Sequence, residues 1–104
     1  MQMMMGFSIP VERGNQAFKD GSLEQTIEAP VTETNAEAAY FMLEGGERTG
    51  YVFFELDDVA RLPRLNEQMF AALDAAVDIV PALTVDDLKR GLSASQNKVP
   101  RLAS

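Results

Sequence analysis

The stretch Tyr51–Leu56, YVFFEL, is apolar on both of its sides, and little else in the 104 residues constrains the fold as tightly. A strand with one wet face alternates apolar with polar residues, because successive side chains point to opposite faces. Here Val52, Phe54 and Leu56 point one way, while Tyr51 and Phe53 on the other side are also apolar. The stretch is preceded by a second apolar run, Glu37–Glu44, across the turn signal Gly45-Gly46. That spacing predicts a hairpin between Glu37–Glu44 and Thr49–Leu56. Strand parity then groups Ala39, Phe41 and Leu43 with Val52, Phe54 and Leu56, and Ala38, Tyr40 and Met42 with Tyr51, Phe53 and Glu55. Both faces need a cover.

The rest of the chain supplies cover for one of them. Met3–Ile9 reads as a first strand with Met3, Met5, Phe7 and Ile9 on one side and Met4, Gly6 and Ser8 opposite, ended by Pro10. Val11–Asn35 is helical in character, with Asp20-Gly21 dividing it into two short helices. Ser22 with Gln25 has capping-box spacing for the second, and Pro30 is expected to kink that piece or end it near Glu28. Asp57-Asp58 caps a brief turn over Val59–Leu62, followed by a helix from Pro63 to about Ala75. Its inward stripe is Leu62, Leu65, Met69, Leu73 and Ala76. Val77–Leu83 reads as a last strand, placed at an edge or bulge by Pro81. Thr84 with Asp87 caps a final helical turn that Gly91 ends, and Ser93–Ser104 is expected to be a flexible tail on a single domain of residues 1–92.

Strand, helix, strand, strand, helix, strand is the order of the ferredoxin-like βαββαβ plait, an α+β fold with a four-stranded antiparallel sheet and helices on one face. The other face would leave three aromatics and a methionine in water. Hiding them is worth several kcal/mol, at about 25 cal/mol per Å² and roughly 150–250 Å² per aromatic ring. A second copy packed sheet to sheet, a homodimer forming a dimeric α/β barrel, meets that need. A monomer whose tail or first helical piece folds over the face is the rival.

Composition removes whole classes of function. There is no cysteine and no histidine, so disulfides, thiolate zinc sites, thiol nucleophiles and a Ser-His-Asp triad are all absent. No metal site is expected, since Asp57-Asp58 and Asp86-Asp87 precede helices and are explained by capping. No cofactor is expected either. Sixteen acidic against nine basic side chains give a net charge of -7, which disfavours nucleic acid and anionic membrane as partners. No apolar run has the length of a membrane span, and no signal-like segment opens the sequence, so the cytoplasm is the expected compartment.

Three segments, SIPVERGNQAFKDGSL, AEAAYFMLEGGERTGYVFFEL and VPALTVDDLKRGL, resemble a group of small bacterial proteins of unassigned function in the dimeric α/β-barrel superfamily. The resemblance runs over roughly residues 3–92, and it implies the plait and its pairing. Some of that group carry the label pantothenate synthetase. A carboxylate-activating ligase of that type is expected to show a phosphate-binding loop or a histidine-bearing adenylylation motif, and this sequence has neither. Superfamily members that do chemistry, such as cofactor-independent monooxygenases and muconolactone-type isomerases, hold substrates between sheet and helices and often use histidine.

Candidate site residues are correspondingly few. Ser8, Tyr40, Tyr51 and Glu55 are placed to line an internal chamber. Glu55 reads either as a desolvated general acid or base among aromatics, or as a strand-end carboxylate near solvent or paired with an arginine. Tyr40 and Tyr51 read as interface residues or as catalytic phenols. Arg48 is either a carboxylate clamp or a solvated hairpin-tip charge beside Glu44 and Glu47. Whether the protein is an enzyme stays open at this point. One reading is a homodimeric module binding a small hydrophobic ligand. The other is a cofactor-independent isomerase or monooxygenase acting on a small aromatic or hydrophobic molecule, with Glu55 and a tyrosine moving protons.

Overall fold

The computed structural model describes residues 1–98, and its order of elements is β-α-α-β-β-α-β-α. Strand β1 (Gln2–Ile9) leads into helices α1 (Val11–Asp20) and α2 (Leu23–Glu33). Strands β2 (Ala38–Glu44) and β3 (Glu47–Glu55) form the hairpin. A 3-10 turn, Val59–Arg61, then opens α3 (Leu62–Leu73), and β4 (Ala76–Pro81) and α4 (Val85–Lys98) follow. The sheet order is β2-β3-β1-β4 with every pair antiparallel, the arrangement of a ferredoxin-like plait.

Pairing makes the two faces explicit. Met3, Met5, Phe7 and Ile9 lie opposite Phe54, Val52, Gly50 and Arg48, and Ala39, Phe41 and Leu43 continue that side onto β2. On β4 the same side carries Val77, Ile79 and Pro81. Against it the helices deliver Ala17 from α1 and Leu65, Met69 and Leu73 from α3, closing one core with Val52, Phe54 and Leu56. The helical stripe is spaced three and four residues apart, so it meets the sheet along one edge of α3. Ala76, expected at the end of that stripe, instead begins β4 and is exposed; the adjacent Ala75 is buried. Pro81 sits on β4 at the sheet edge, where its missing N–H breaks no interior ladder.

Three local expectations are corrected. Ser22 makes no capping bond; its backbone N–H donates to Asp20 Oδ1 at 2.8 Å, so the Asp20 turn opens α2 instead. Pro30 does not end α2, which runs to Glu33 with the Pro30 carbonyl accepting from Thr34 N at 3.2 Å and Thr34 Oγ1 at 2.6 Å. The Pro30 ring is buried, and its missing N–H removes one bond of the ladder without ending α2. Finally, Gly91 does not stop the last helix. The Thr84–Asp87 capping box forms as expected, each backbone N–H donating to the other's side chain, but α4 continues through Gly91 to Lys98. The tail expected from Ser93 is therefore helical over its first six residues, and the remainder of it lies outside the described residues.

Helix α4 does not join the core. Val85, Leu88 and Leu92 are all exposed along it, and the chain is 63 Å long against 29 and 20 Å in the other directions. Its radius of gyration, 17.6 Å, exceeds the roughly 13 Å of a compact domain of about 100 residues.

Candidate functional site

The face of the sheet away from the helices is uncovered by any described element. Its rows follow from register. One row reads Ala38, Phe53, Met4, Val80 across the four strands, the next Tyr40, Tyr51, Gly6, Asp78, and the third Met42, Thr49, Ser8, Ala76. The first row is wholly apolar. Tyr40 leans on it, its ring 6.4 Å from that of Phe53 in an edge-on arrangement, and Tyr40 itself is 60% exposed. Met42 and Val80 are exposed as well.

Toward the hairpin the face becomes polar. Tyr51 directs its hydroxyl along the strand and donates to Glu44 Oε2 at 2.7 Å. Gly6 gives the ring room, because a Cβ there would stand 3.1 Å from Tyr51 Cε1 and the ring would have to move by a few tenths of an ångström. Tyr51, Ser8, Met4, Thr49, Glu44 and Asp78 line a solvent-open hollow of about 510 Å³. It carries carboxylates and hydroxyls and no cation, so it suits a hydrogen-bond-donating group on a ligand whose apolar part rests on Met4 and the Tyr51 ring.

The hydrogen bond to Glu44 holds the Tyr51 phenol above its ordinary value of 10.0, with desolvation and the charges of Glu44 and Asp78 acting in the same direction. The native state thus grips the phenolic proton more firmly than the unfolded chain does. This contribution to stability is complete below pH 10 and is lost as pH rises through the elevated native value. The chain has two tyrosines, so a Tyr40→Phe variant leaves Tyr51 to titrate alone. Its ultraviolet titration is expected to have a midpoint above 10, and Glu44→Ala is expected to bring the midpoint down; no change on Glu44→Ala would remove the assigned cause.

Of the residues singled out from sequence, Ser8 and Tyr51 meet in one hollow, and Tyr40 lies beside it over Phe53. Glu55 does not join them. It stands exposed at the far end of β3, its carboxylate 3.1 Å from the Met1 ammonium. Arg48 is on the other side of the sheet. Its Nη2 donates to Asn15 Oδ1 at 3.1 Å, tying the hairpin to α1 rather than neutralising Glu44 and Glu47. Sequence reading missed Glu44 and Asp78 as lining residues. Parity already placed Glu44 on the Tyr40–Met42 side; Asp78 needed the pairing of β4 with β1, which no local pattern encodes.

No group of three or more His, Cys, Asp or Glu among the described residues is arranged to hold a metal ion. No described helix is long and apolar enough to cross a membrane. No family model matches the sequence, and no curated protein matches it. One solved structure, the crystal structure of MupZ from Pseudomonas fluorescens, is similar over 99% of this chain and 92% of its own, with 20% identity and a TM-score of 0.44. A likeness that distant says nothing of activity.

Proposed function

We propose that the protein is a homodimeric binding module of the dimeric α/β-barrel type, in which two copies pack through the apolar half of the open sheet face. The acidic hollow around Tyr51 then forms the mouth of a chamber for a small, largely hydrophobic ligand. The observation that carries this reading is the first row with its neighbour: Ala38, Phe53, Met4 and Val80, capped by a Tyr40 that is 60% exposed. Contiguous apolar surface of this kind usually marks an interaction site, and a self-complementary sheet face is satisfied by a twofold copy of itself. Tyrosine suits such a place, offering a broad apolar ring and a hydroxyl that stays wet at the rim. The chemistry on the face is that of binding: a phenol donating to a carboxylate, a serine and a threonine. In this reading the protein works in the cytoplasm.

Analytical ultracentrifugation tests the pairing. At micromolar concentration the protein is expected to sediment at no less than twice its 11.4 kDa chain mass. Val80→Arg and Tyr40→Arg, both at exposed positions, are expected to raise the dissociation constant about 100-fold or more by stranding a charge in the apolar contact, with the far-UV circular dichroism of a folded chain retained. A wild-type monomer throughout that range would overturn the proposal.

A further inference from the structure

Besides the open face, another apolar surface among the described residues lacks cover; it is on the helix side, at the opposite edge of the sheet from α4. There Phe41 and Leu43 on β2 are 52% and 76% exposed, and Phe18 on α1 is 69% exposed. With Leu23 and Ile27 of α2 they line two adjoining hollows, about 310 and 480 Å³, that share Ile27 and Phe41 and form one groove between β2 and the first two helices. Helix α4 is the matching object: Val85, Leu88 and Leu92 recur at the spacing of one helical face and touch nothing that buries them.

We propose that α4 is an exchanged arm, laying its Val85–Leu88–Leu92 stripe into the β2–α2 groove of a second copy. Charge favours this occupant. Residues 1–84 contain fourteen acidic and five basic side chains, a net of -9, whereas residues 85–104 contain Asp86, Asp87 and four basic side chains, a net of +2. Glu24 and Glu28 stand in the wall of the groove, with Arg48 at its hairpin end, and Lys89 and Arg90 belong to the arm, Arg90 paired with Asp87. A net-basic amphipathic arm and a strongly acidic body on the same chain attract each other at a distance.

Topology makes the exchange one between copies. Strand β4, from which α4 departs, is at the edge opposite β2, three strand spacings or roughly 14 Å away. Pro81 pairs with Met3 while Leu43 pairs with Arg48 and thus with Ile9, so the groove is also about 20 Å further along the strands. Ala82 N still donates to Gln2 O at 2.8 Å, and Thr84 is already in the capping box, which leaves Leu83 as the hinge. A path to its own groove would cross α3 and α1, which already occupy the sheet beside β4 and β3. The arm does not depend on open-face pairing, since the groove is on the other side of the sheet.

The absence of cysteine gives a clean test on the full chain. Leu92→Cys and Leu43→Cys are made separately, mixed in equal amounts and mildly oxidised. A heterodisulfide is expected to form about tenfold or more over a control pairing Leu92→Cys with Glu67→Cys on α3, because docking raises the effective concentration of the two thiols. Leu88→Glu on the arm is expected to abolish the enrichment. Yield equal to the control would overturn the proposal, as would an intrachain loop in the Leu43→Cys/Leu92→Cys double variant at high dilution. The enrichment is expected to persist in the Val80→Arg background; its loss there would assign the contact to the open face and remove the arm.

Discussion

Replacing Gly50 with valine is expected to destabilise the fold by about 3 kcal/mol, the upper end of what overpacking a closed core costs. Gly50 is in the middle of β3 on the helix side, and Phe7 and Phe41 close over it from the two flanking strands, their ring centroids 6.5 Å apart. A Cβ there would stand 2.5 Å from Phe7 Cζ and 3.0 Å from Phe41 Cδ1. Phe41 is half out of the structure and can swing away; Phe7 is 3% exposed and cannot. Glycine in a strand interior is normally a liability, so its presence here marks a place where another ring occupies the missing side chain's volume. Thermal unfolding should therefore fall by roughly 4–8 °C for each kcal/mol, the usual scale for a domain of this size. In a Phe7→Leu background the penalty of Gly50→Val is expected to shrink to about 1 kcal/mol, a coupling that a mere propensity effect would not show. Equal penalties in both backgrounds would mean that the ring does not set the cost.

The aromatic pair over Gly50 also shows where sequence reasoning stops. Parity across a two-residue turn is a local property, so the assignment of every hairpin side chain to its face follows from the residues alone. The same holds for β1, whose alternation of Met3, Met5, Phe7 and Ile9 with Met4, Gly6 and Ser8 survives intact in the sheet. What local pattern cannot supply is which strands become neighbours. Glu44 and Tyr51 share the hairpin and were within reach; Asp78 reaches the hollow by pairing across β1, at a separation of more than 70 residues from Gly6. The partner of Arg48 is hidden for a related reason: nothing near the glycine turn encodes that Asn15 of α1 lies over that corner to accept its hydrogen bond. Gly91 failed as a stop because its signal is conditional. Glycine ends a helix where the chain must turn back, and α4 has nothing to turn back toward within its own copy.

Adjacent residues on β3 should respond to the same mutation to very different extents. Phe54 is 1% exposed among Met3, Val52 and the α3 stripe, and Phe54→Ala is expected to cost about 3–5 kcal/mol through the lost transfer energy and the cavity left behind. A loss of that size takes a large part of the 5–15 kcal/mol typical of a small domain. Phe53 points the other way, half-buried beneath Tyr40 on the open face. In dilute protein, below the dissociation constant of the proposed pair, Phe53→Ala is expected to cost less than about 1 kcal/mol, because the ring there is still partly wet. As concentration rises, the proposed pairing is expected to stabilise the wild type by mass action and the variant much less, so the gap between their melting temperatures should widen. Phe54→Ala should show a gap independent of concentration. Parallel concentration series for the two variants thus separate a core aromatic from an interface aromatic one residue apart, and a flat series for Phe53→Ala would leave the open face without a partner.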